Sequence, residues 1–201
     1  MKRRVIILIV VLVAVAAVFK FCGDKPEPQS AAAQEKVDPL SITANSSSFN
    51  QSFTNLLNAY YSVKDALVAD DAGKTDAASA ILQRYADSLR TDEIQGDTSG
   101  TIRETAKYFA ASIAASANAL GQENGLDAKR REFETISDAM WSLTRTVQYD
   151  GQKVYYQYCP MAFDNKGAYW MSNTRDINNP YFGDKMLKCG EVADSLDYSR
   201  R

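Results

Sequence analysis

The stretch Phe49–Leu67, FNQSFTNLLNAYYSVKDAL, decides the fold class of this chain. Its large apolar side chains recur at steps of three and four residues, at Phe49, Phe53, Leu56, Tyr60, Val63 and Leu67. This spacing places them on one face of an α-helix. We expect the helix to end near Asp70–Gly73, where polar residues and a glycine interrupt the pattern.

Three further segments of similar periodicity follow. A second helix is expected to be capped by Thr75 and Asp76, a third to run from Gly100 to Gly121, and a fourth to span about Leu126–Val147. The side chains expected to face inward are Ala77, Ile81, Tyr85 and Leu89 in the second helix, Ile102, Ala106, Phe109, Ile113 and Leu120 in the third, and Phe133, Ile136, Met140, Leu143 and Val147 in the fourth. Short connections favour antiparallel neighbours, so we predict an all-α fold, an up-down four-helix bundle, with an irregular helical array as the alternative.

A small C-terminal β-hairpin and loops that carry cysteine and methionine complete the predicted fold. Val154–Tyr158 alternates as a strand, Asp164–Gly167 is typical of a turn, and Ala168–Met171 predicts a second strand. A lone hairpin is only marginally stable in water, so it should pack on the helices. Asn179–Pro180 and Gly183 are expected to shape the loop that follows it.

The composition divides the chain into four expected segments. Residues 1–22 read as a signal or membrane anchor, and residues 23–48 as a flexible tether rich in Pro, Gln, Ala, Ser and Asn. Residues 49–192 are expected to form the helical bundle with its C-terminal motif region, and residues 193–201 a loose tail. The body is long enough for one domain with a real core.

The first segment predicts export from the cytoplasm. Lys2–Arg4 precede the apolar run Val5–Phe19, which is short for a spanning helix of about 20 residues. Three outcomes stay open: cleavage at the small residues Ala14–Ala16, lipidation at Cys22 as a lipoprotein, or an uncleaved anchor. All three place the remainder in the periplasm or cell envelope, and attachment to the membrane is favoured over release.

Four sulfur-bearing residues form the candidate site. Cys159 and Met161 are two residues apart, so in an extended backbone both sulfurs leave the same side of the chain. Met186 and Cys189 are three apart, so in a helical turn they share a face. Two thiolates and two thioethers would suit soft Cu(I) far better than magnesium or calcium. The hypothesis is a Cu(I) or Ag(I) site.

The cysteines and methionines also have purely structural roles that stay open. Cys159 and Cys189 can instead form a structural disulfide, as exported domains often keep such bonds. They can also be two unpaired structural cysteines. Methionine commonly fills gaps in cores, and Met171 beside Trp170 is interpreted in that way.

The composition also argues against several function classes. The chain has no histidine, which removes the histidine-dependent triads and zinc sites, so no enzymatic activity is expected. The formal net charge is −2 and no basic stripe is visible, so nucleic-acid binding is not expected. No Gly-rich loop has the spacing that cradles phosphates, so nucleotide binding has no support.

The motif run resembles a known family. Its three parts are YCPMAF at 158–163, GAYWMS at 167–172 and INNPYFGDKMLKCGEV at 177–192. They resemble the signature of a bacterial envelope domain-of-unknown-function family. That family also recurs as a C-terminal extension of RND-type copper and silver efflux adaptor proteins. The similarity covers roughly Phe49–Val192.

The resemblance implies a periplasmic helical domain linked to heavy-metal handling, with envelope efflux components as possible partners. Carried over by position, the recurrent sulfurs of the family fall on Cys159, Met161, Met186 and Cys189. The family's tryptophan-leucine pair stands here as Trp170–Met171. The adaptor's barrel and hairpin domains are missing from this sequence, so the resemblance does not make the chain an adaptor. Two functions therefore compete: a Cu(I)/Ag(I)-binding module and a non-metal interaction or structural domain with a Cys159–Cys189 disulfide.

Overall fold

The computed structural model describes residues 45–199. The predicted anchor, residues 1–22, and nearly all of the predicted tether lie outside this range. The long helices are α1 (Ser47–Val68), α2 (Ala72–Asp87), α3 (Thr101–Gln122) and α4 (Leu126–Thr146). A short 3-10 helix, Thr91–Glu93, lies between α2 and α3. Within residues 45–199, no helix combines the length and the apolar character that crossing a membrane requires.

Side-chain caps define where the first two helices begin. Ser46 caps α1 by accepting a hydrogen bond from the Phe49 N–H at 3.0 Å. Asp71 caps α2 by accepting one from the Lys74 N–H at 2.9 Å. The prediction that Thr75 and Asp76 cap this helix is therefore wrong, because the carboxylate of Asp71 satisfies the free N–H groups one turn earlier.

The apolar faces predicted for α1 and α4 are confirmed. Every predicted inward residue of α1 and α4 is fully buried. In α3 the predicted inward residues are also buried, except for Phe109, which is half-buried and packs at the margin of the core. The helical core therefore follows from the 3.6-residue periodicity of the sequence.

The face predicted for α2 is wrong in part. Ala77 is exposed, and Ile81 and Tyr85 are each 39% exposed. The buried side chains of this helix are Thr75, Ala78, Ser79, Leu82 and Ala86. The helix packs against both α1 and α3, and its small side chains face them. Small residues allow close approach between helices, so the two larger side chains lie at the edges of the contact.

Each long helix packs mainly against the next helix in the sequence. Three residues, 69–71, join α1 to α2, and another three, 123–125, join α3 to α4. Helix α4 also packs against the sheet. The fold is therefore mostly helical, with four long helices, and the up-down order of the bundle stays a prediction.

The C-terminal part forms a small antiparallel sheet of three strands. The strands are β1 (Val154–Cys159), β2 (Ala168–Ser172) and β3 (Glu191–Leu196), in the order β2-β1-β3. The predicted hairpin is β1–β2, in which Cys159 pairs with Ala168. Residues 193–196, predicted as part of a loose tail, belong instead to β3. They pair with the second edge of β1, which satisfies backbone groups that a two-stranded hairpin leaves free.

Two contacts attach the sheet to the helices. The Tyr60 hydroxyl in α1 accepts a hydrogen bond from the Met171 N–H in β2 at 2.9 Å and shares another with the Ser137 hydroxyl in α4 at 2.8 Å. The Tyr156 ring in β1 stacks on Trp141 in α4 with a centroid distance of 4.1 Å. Together they fix the position of β1, which ends at Cys159.

Candidate functional site

Two cysteines meet at the end of the sheet. Cys159 is the last residue of β1 and is fully buried, and Cys189 lies just before β3 and is half-buried. Their Sγ atoms are 3.4 Å apart although the residues are separated by 30 positions in the sequence. Both thiols are free. The structure therefore brings together the two cysteines that the sequence marked as candidates.

The distance between the two sulfurs lies between the value for a disulfide bond and the value for two thiolates on one metal ion. A disulfide bond requires about 2.05 Å. Two thiolates that share a tetrahedral metal, with metal–sulfur bonds of about 2.3 Å, lie about 3.8 Å apart. The observed 3.4 Å is closer to the second distance. Small side-chain adjustments would reach either state, so the pair is suited both to metal binding and to oxidation.

Asn179 holds the loop that carries Cys189. Its side chain is fully buried, and its amide donates to the Cys189 carbonyl at 2.8 Å. Its side-chain oxygen accepts a hydrogen bond from the Tyr181 N–H, and its backbone N–H donates to the Leu187 carbonyl. One side chain thus closes the loop into a turn that returns to the sheet.

Arg130 of α4 ties the same loop to the helices. Its Nε donates to the Pro180 carbonyl at 2.9 Å, and its guanidinium also donates to the Leu67 carbonyl and pairs with the Asp70 carboxylate. The Arg130 side chain is only 7% exposed. A Cβ at Gly183 would clash with the Asp70 carboxylate, so the loop approaches this carboxylate as closely as glycine allows.

Gly190 determines how closely Cys189 approaches β1. Its φ is +141°, and a Cβ at this position would lie 2.7 Å from the Tyr158 carbonyl oxygen and 2.9 Å from the Trp170 ring. Any other residue would push the chain away from β1. The Cys-Gly pair therefore places the sulfur of Cys189 beside Cys159.

The protonation of the pair is linked to its geometry. The hydrogen bond with Cys159 raises the pKa of the Cys189 thiol above its ordinary value, with a further contribution from partial burial. A bound metal ion replaces thiol protons, so proton release is expected to accompany binding. The Cys189 thiol is therefore mostly protonated at neutral pH until a metal or an oxidant removes its proton.

The expected geometry of Met161 needs a correction. β1 ends at Cys159, and Pro160 and Met161 lie in a turn rather than in an extended stretch. As a result Cys159 is buried, whereas Met161 is 46% exposed. Met186 ends a 3-10 helix, Gly183–Met186, and its carbonyl accepts a hydrogen bond from the Cys189 N–H. The two residues therefore lie in one turn, and the shared face stays a prediction.

Met161 and Met186 line one cleft of about 460 Å³, which we call the methionine cleft. The side chains of Phe163, Tyr181 and Phe182 complete its apolar lining. Its charged rim includes Asp127, Arg131, Asp164 and Lys185. The two cysteines do not line this cleft. The structure therefore brings the two cysteine sulfurs together and places both methionines at one cleft. The union of all four sulfurs in one cage stays a prediction.

The turn between β1 and β2 has an unusual backbone. Phe163, Asp164 and Asn165 have φ values of 51°, 60° and 65°, so three successive residues other than glycine are left-handed. Each such residue is strained by about 1–3 kcal/mol unless its surroundings hold it in place. This turn places Phe163 in the methionine cleft next to Met161.

Sequence reasoning missed Arg130 and Tyr60 as supports of the site. Nothing in the sequence distinguishes Arg130 from its charged neighbours, and only the fold shows that it reaches Pro180. Tyr60 belongs to the predicted apolar face of α1, but its hydroxyl partners come from α4 and β2. No local pattern indicates such long-range hydrogen bonds. Within residues 45–199, no three His, Cys, Asp or Glu side chains cluster so as to hold a metal ion.

Comparison with known proteins bears on the helical part of the chain. No curated protein and no solved structure matches the chain significantly. A family model matches residues that begin in α1 and extend just past α4, so the four candidate sulfurs lie beyond them. The chain is similar, over residues 56–151 and thus just under half of its length, to a family described as protein of unknown function, DUF3347.

Proposed function

We propose that this protein is an envelope-anchored module that binds Cu(I) or Ag(I) and serves copper or silver tolerance or efflux. The observation that carries the proposal is the 3.4 Å separation of the Cys159 and Cys189 sulfurs. Two thiols at this distance match the preference of soft cations for sulfur ligands. Met161 and Met186 are proposed to add thioether sulfurs from the neighbouring cleft.

The supports of the Cys189 loop favour a preformed pair. Asn179, Arg130 and Gly190 hold Cys189 against β1 before any ion arrives. A preformed site loses less conformational entropy on binding than one that must assemble. The thiol pair is therefore expected to bind with little rearrangement of the backbone.

A competition titration with Cu(I) under reducing conditions tests the proposal. Thiolates should dominate the affinity, so Cys159→Ser should weaken binding far more than Met161→Leu. Met171→Leu is the matched control, because Met171 is fully buried next to Trp170. Magnesium and calcium, which need oxygen ligands, should not compete. If reduced protein binds Cu(I) no better than the Cys159→Ser, Cys189→Ser double variant, the metal function is wrong.

The same two sulfurs favour a second function, a non-metal interaction or structural domain closed by a Cys159–Cys189 disulfide. Full burial of Cys159 supports this alternative, because a buried bond resists reduction. Mass spectrometry of the isolated protein without reductant separates the two functions. Loss of two hydrogen atoms, with no alkylation of Cys159 or Cys189, supports the disulfide. Two thiols that can be alkylated and that coordinate added Cu(I) support the metal site.

Membrane attachment, export and efflux partners complete the proposal. They rest on Lys2–Arg4 and the apolar run Val5–Phe19, together with the resemblance described above. A reporter fused after Arg201 should be active only outside the cytoplasm. Replacement of Cys22 by serine tests lipidation: unchanged membrane association and gel mobility would assign the anchor to the apolar run itself.

The order of the helices and the absence of a catalytic role are also part of the proposal. An up-down order of the four helices is supported by the two three-residue connections, which favour antiparallel neighbours. No catalytic role is assigned, because the sequence shows no general base with a defined spacing. Binding of nucleic acid or nucleotide forms no part of the proposal.

A further inference from the structure

The methionines of the described chain fall into two groups. Met140 and Met171 are fully buried in the core. Met161 is 46% exposed and Met186 is half-buried, and both line the methionine cleft. Every methionine of residues 45–199 that solvent can reach therefore faces the same cleft. Core filling explains the first group but not the second.

We infer that Met161 and Met186 form a thioether site for a monovalent soft cation, Ag(I) or Cu(I), that remains when the two thiols are oxidised. The choice of metal rests on the proposed function, and the inference extends it to a second, separable site. Thioether sulfur is a soft ligand with no proton to lose and cannot form a disulfide. Closure of the Cys159–Cys189 bond would therefore leave this site intact.

The surroundings of the cleft fit a cation of low charge. Arg130 is already paired with Asp70 and Asp127. Of the remaining charged rim, Asp164 carries a negative charge, and Arg131 and Lys185 carry positive charges. This excess of positive charge repels a divalent cation more strongly than a monovalent one. A monovalent ion held by two neutral sulfurs needs less compensation, and the aromatic side chains of Phe163, Tyr181 and Phe182 line the same cleft.

The methionine cleft is more accessible to solvent than the buried thiol of Cys159. Cys159 is fully buried, so an ion reaches it only past the more exposed side chains around it. Met161 stands two residues away and is open to solvent. The thioether pair is thus more open to solvent than Cys159, and it can hold an ion when the thiols are oxidised.

Silver titration of thiol-free protein tests the inference. The full chain carries Cys22→Ser, Cys159→Ser and Cys189→Ser, and its methionine methyl groups are labelled with carbon-13 for NMR. One Ag(I) per chain should bind, and the methyl resonances of Met161 and Met186 should shift while those of Met140 and Met171 stay in place. Adding Met161→Leu and Met186→Leu should weaken binding by about tenfold or more, whereas Met171→Leu should not.

A second preparation guards against misfolding of the substituted chain. The Cys22→Ser protein, with Cys159 and Cys189 oxidised by glutathione disulfide, should give the same shifts at Met161 and Met186. The inference is overturned if Ag(I) does not bind, or if it binds without moving these two resonances, in a preparation whose spectrum shows it to be folded. The proposed function fails on a different result, equal Cu(I) affinity of reduced and thiol-free protein. The two failures are therefore distinguishable.

Discussion

The helices and the sheet of this protein are stabilised in different ways. Rows of apolar side chains in α1, α3 and α4 hold the helical part, and each residue contributes one contact among many. The sheet and its loop share that apolar packing, and in addition a few polar side chains, Tyr60, Arg130 and Asn179, each make several hydrogen bonds there. An apolar core made of many contacts tolerates the loss of one side chain better than a site whose position depends on three side chains. The candidate sulfurs all lie in the second part.

The largest expected effect tests the helical half of this comparison. Phe133 is fully buried and stacks on Tyr60 with a centroid distance of 5.1 Å. Phe133→Ala should lower the free energy of unfolding by about 3–5 kcal/mol, measured by urea denaturation. Phe109→Ala is the control and should have roughly half that effect, because Phe109 is only half-buried. Equal losses at both positions would contradict the assigned core.

Arg130→Ala tests how the loop that follows the sheet is anchored to the helices. It removes the donor to the Pro180 and Leu67 carbonyls and leaves Asp70 without its partner. We expect a loss of roughly 2–3 kcal/mol, at the low end for a broken buried pair because Asp70 is partly exposed. Hydrogen exchange should accelerate in the Asn179–Cys189 loop more than in α3. Arg131→Ala, an exposed neighbour, should change neither quantity, and uniform acceleration would argue against a local anchor.

The two parts also differ in how well the sequence predicted them. Periodicity located all four long helices and the buried faces of α1 and α4, because those faces depend on spacing alone. It failed at Ile81 and Tyr85, where packing between two helices selected the small residues instead. β3 was missed because its pairing with β1 depends on a loop that returns from a distance.

The site was predicted in a similar, partial way. The residue types and spacing marked Cys159 and Cys189, and the structure places their sulfurs 3.4 Å apart. The sequence could not show that Met161 leaves the strand and lines a cleft instead. The reason is the turn after Pro160, which ends the extended backbone at Cys159. The spacing of two residues in the sequence predicts which side of the chain they share only when one secondary-structure element includes both of them.

Tyr60→Phe tests the hydrogen bonds by which a helix side chain contacts the sheet. The change keeps the ring but removes the hydroxyl that accepts from Met171 N–H and pairs with Ser137. An unsatisfied buried donor should lower the free energy of unfolding by about 1–2 kcal/mol. Thermal unfolding measures this loss. An unchanged midpoint would show that the sheet does not need this bond.

The smallest expected effect concerns a polar anchor in the helical part. Burial alone would raise the pKa of Asp97, but the N–H groups of Arg103 and Ile102, which donate to its carboxylate, hold the pKa below its ordinary value. The stabilisation is therefore complete above the ordinary aspartate pKa and is lost as the pH falls through the lowered value. At neutral pH, Asp97→Asn should lower the free energy of unfolding by about 1 kcal/mol.

The pH dependence of the free energy of unfolding checks the prediction for Asp97→Asn. Denaturation of both proteins over a series of pH values should show the difference between them shrinking in acid, because Asp97 becomes protonated. A difference that stays constant to low pH would show that the carboxylate charge does not contribute.

X-ray absorption spectroscopy of the reduced full chain loaded with one Cu(I) tests the central claim, that the fold brings Cys159 and Cys189 together as a soft-metal site. We expect a copper coordination shell that includes two thiolate sulfurs; the Cys159→Ser, Cys189→Ser variant should lose these two and keep at most the thioether sulfurs, whereas Met171→Leu should keep them. A shell of oxygen or nitrogen, or a spectrum that the two serine substitutions leave unchanged, would contradict it.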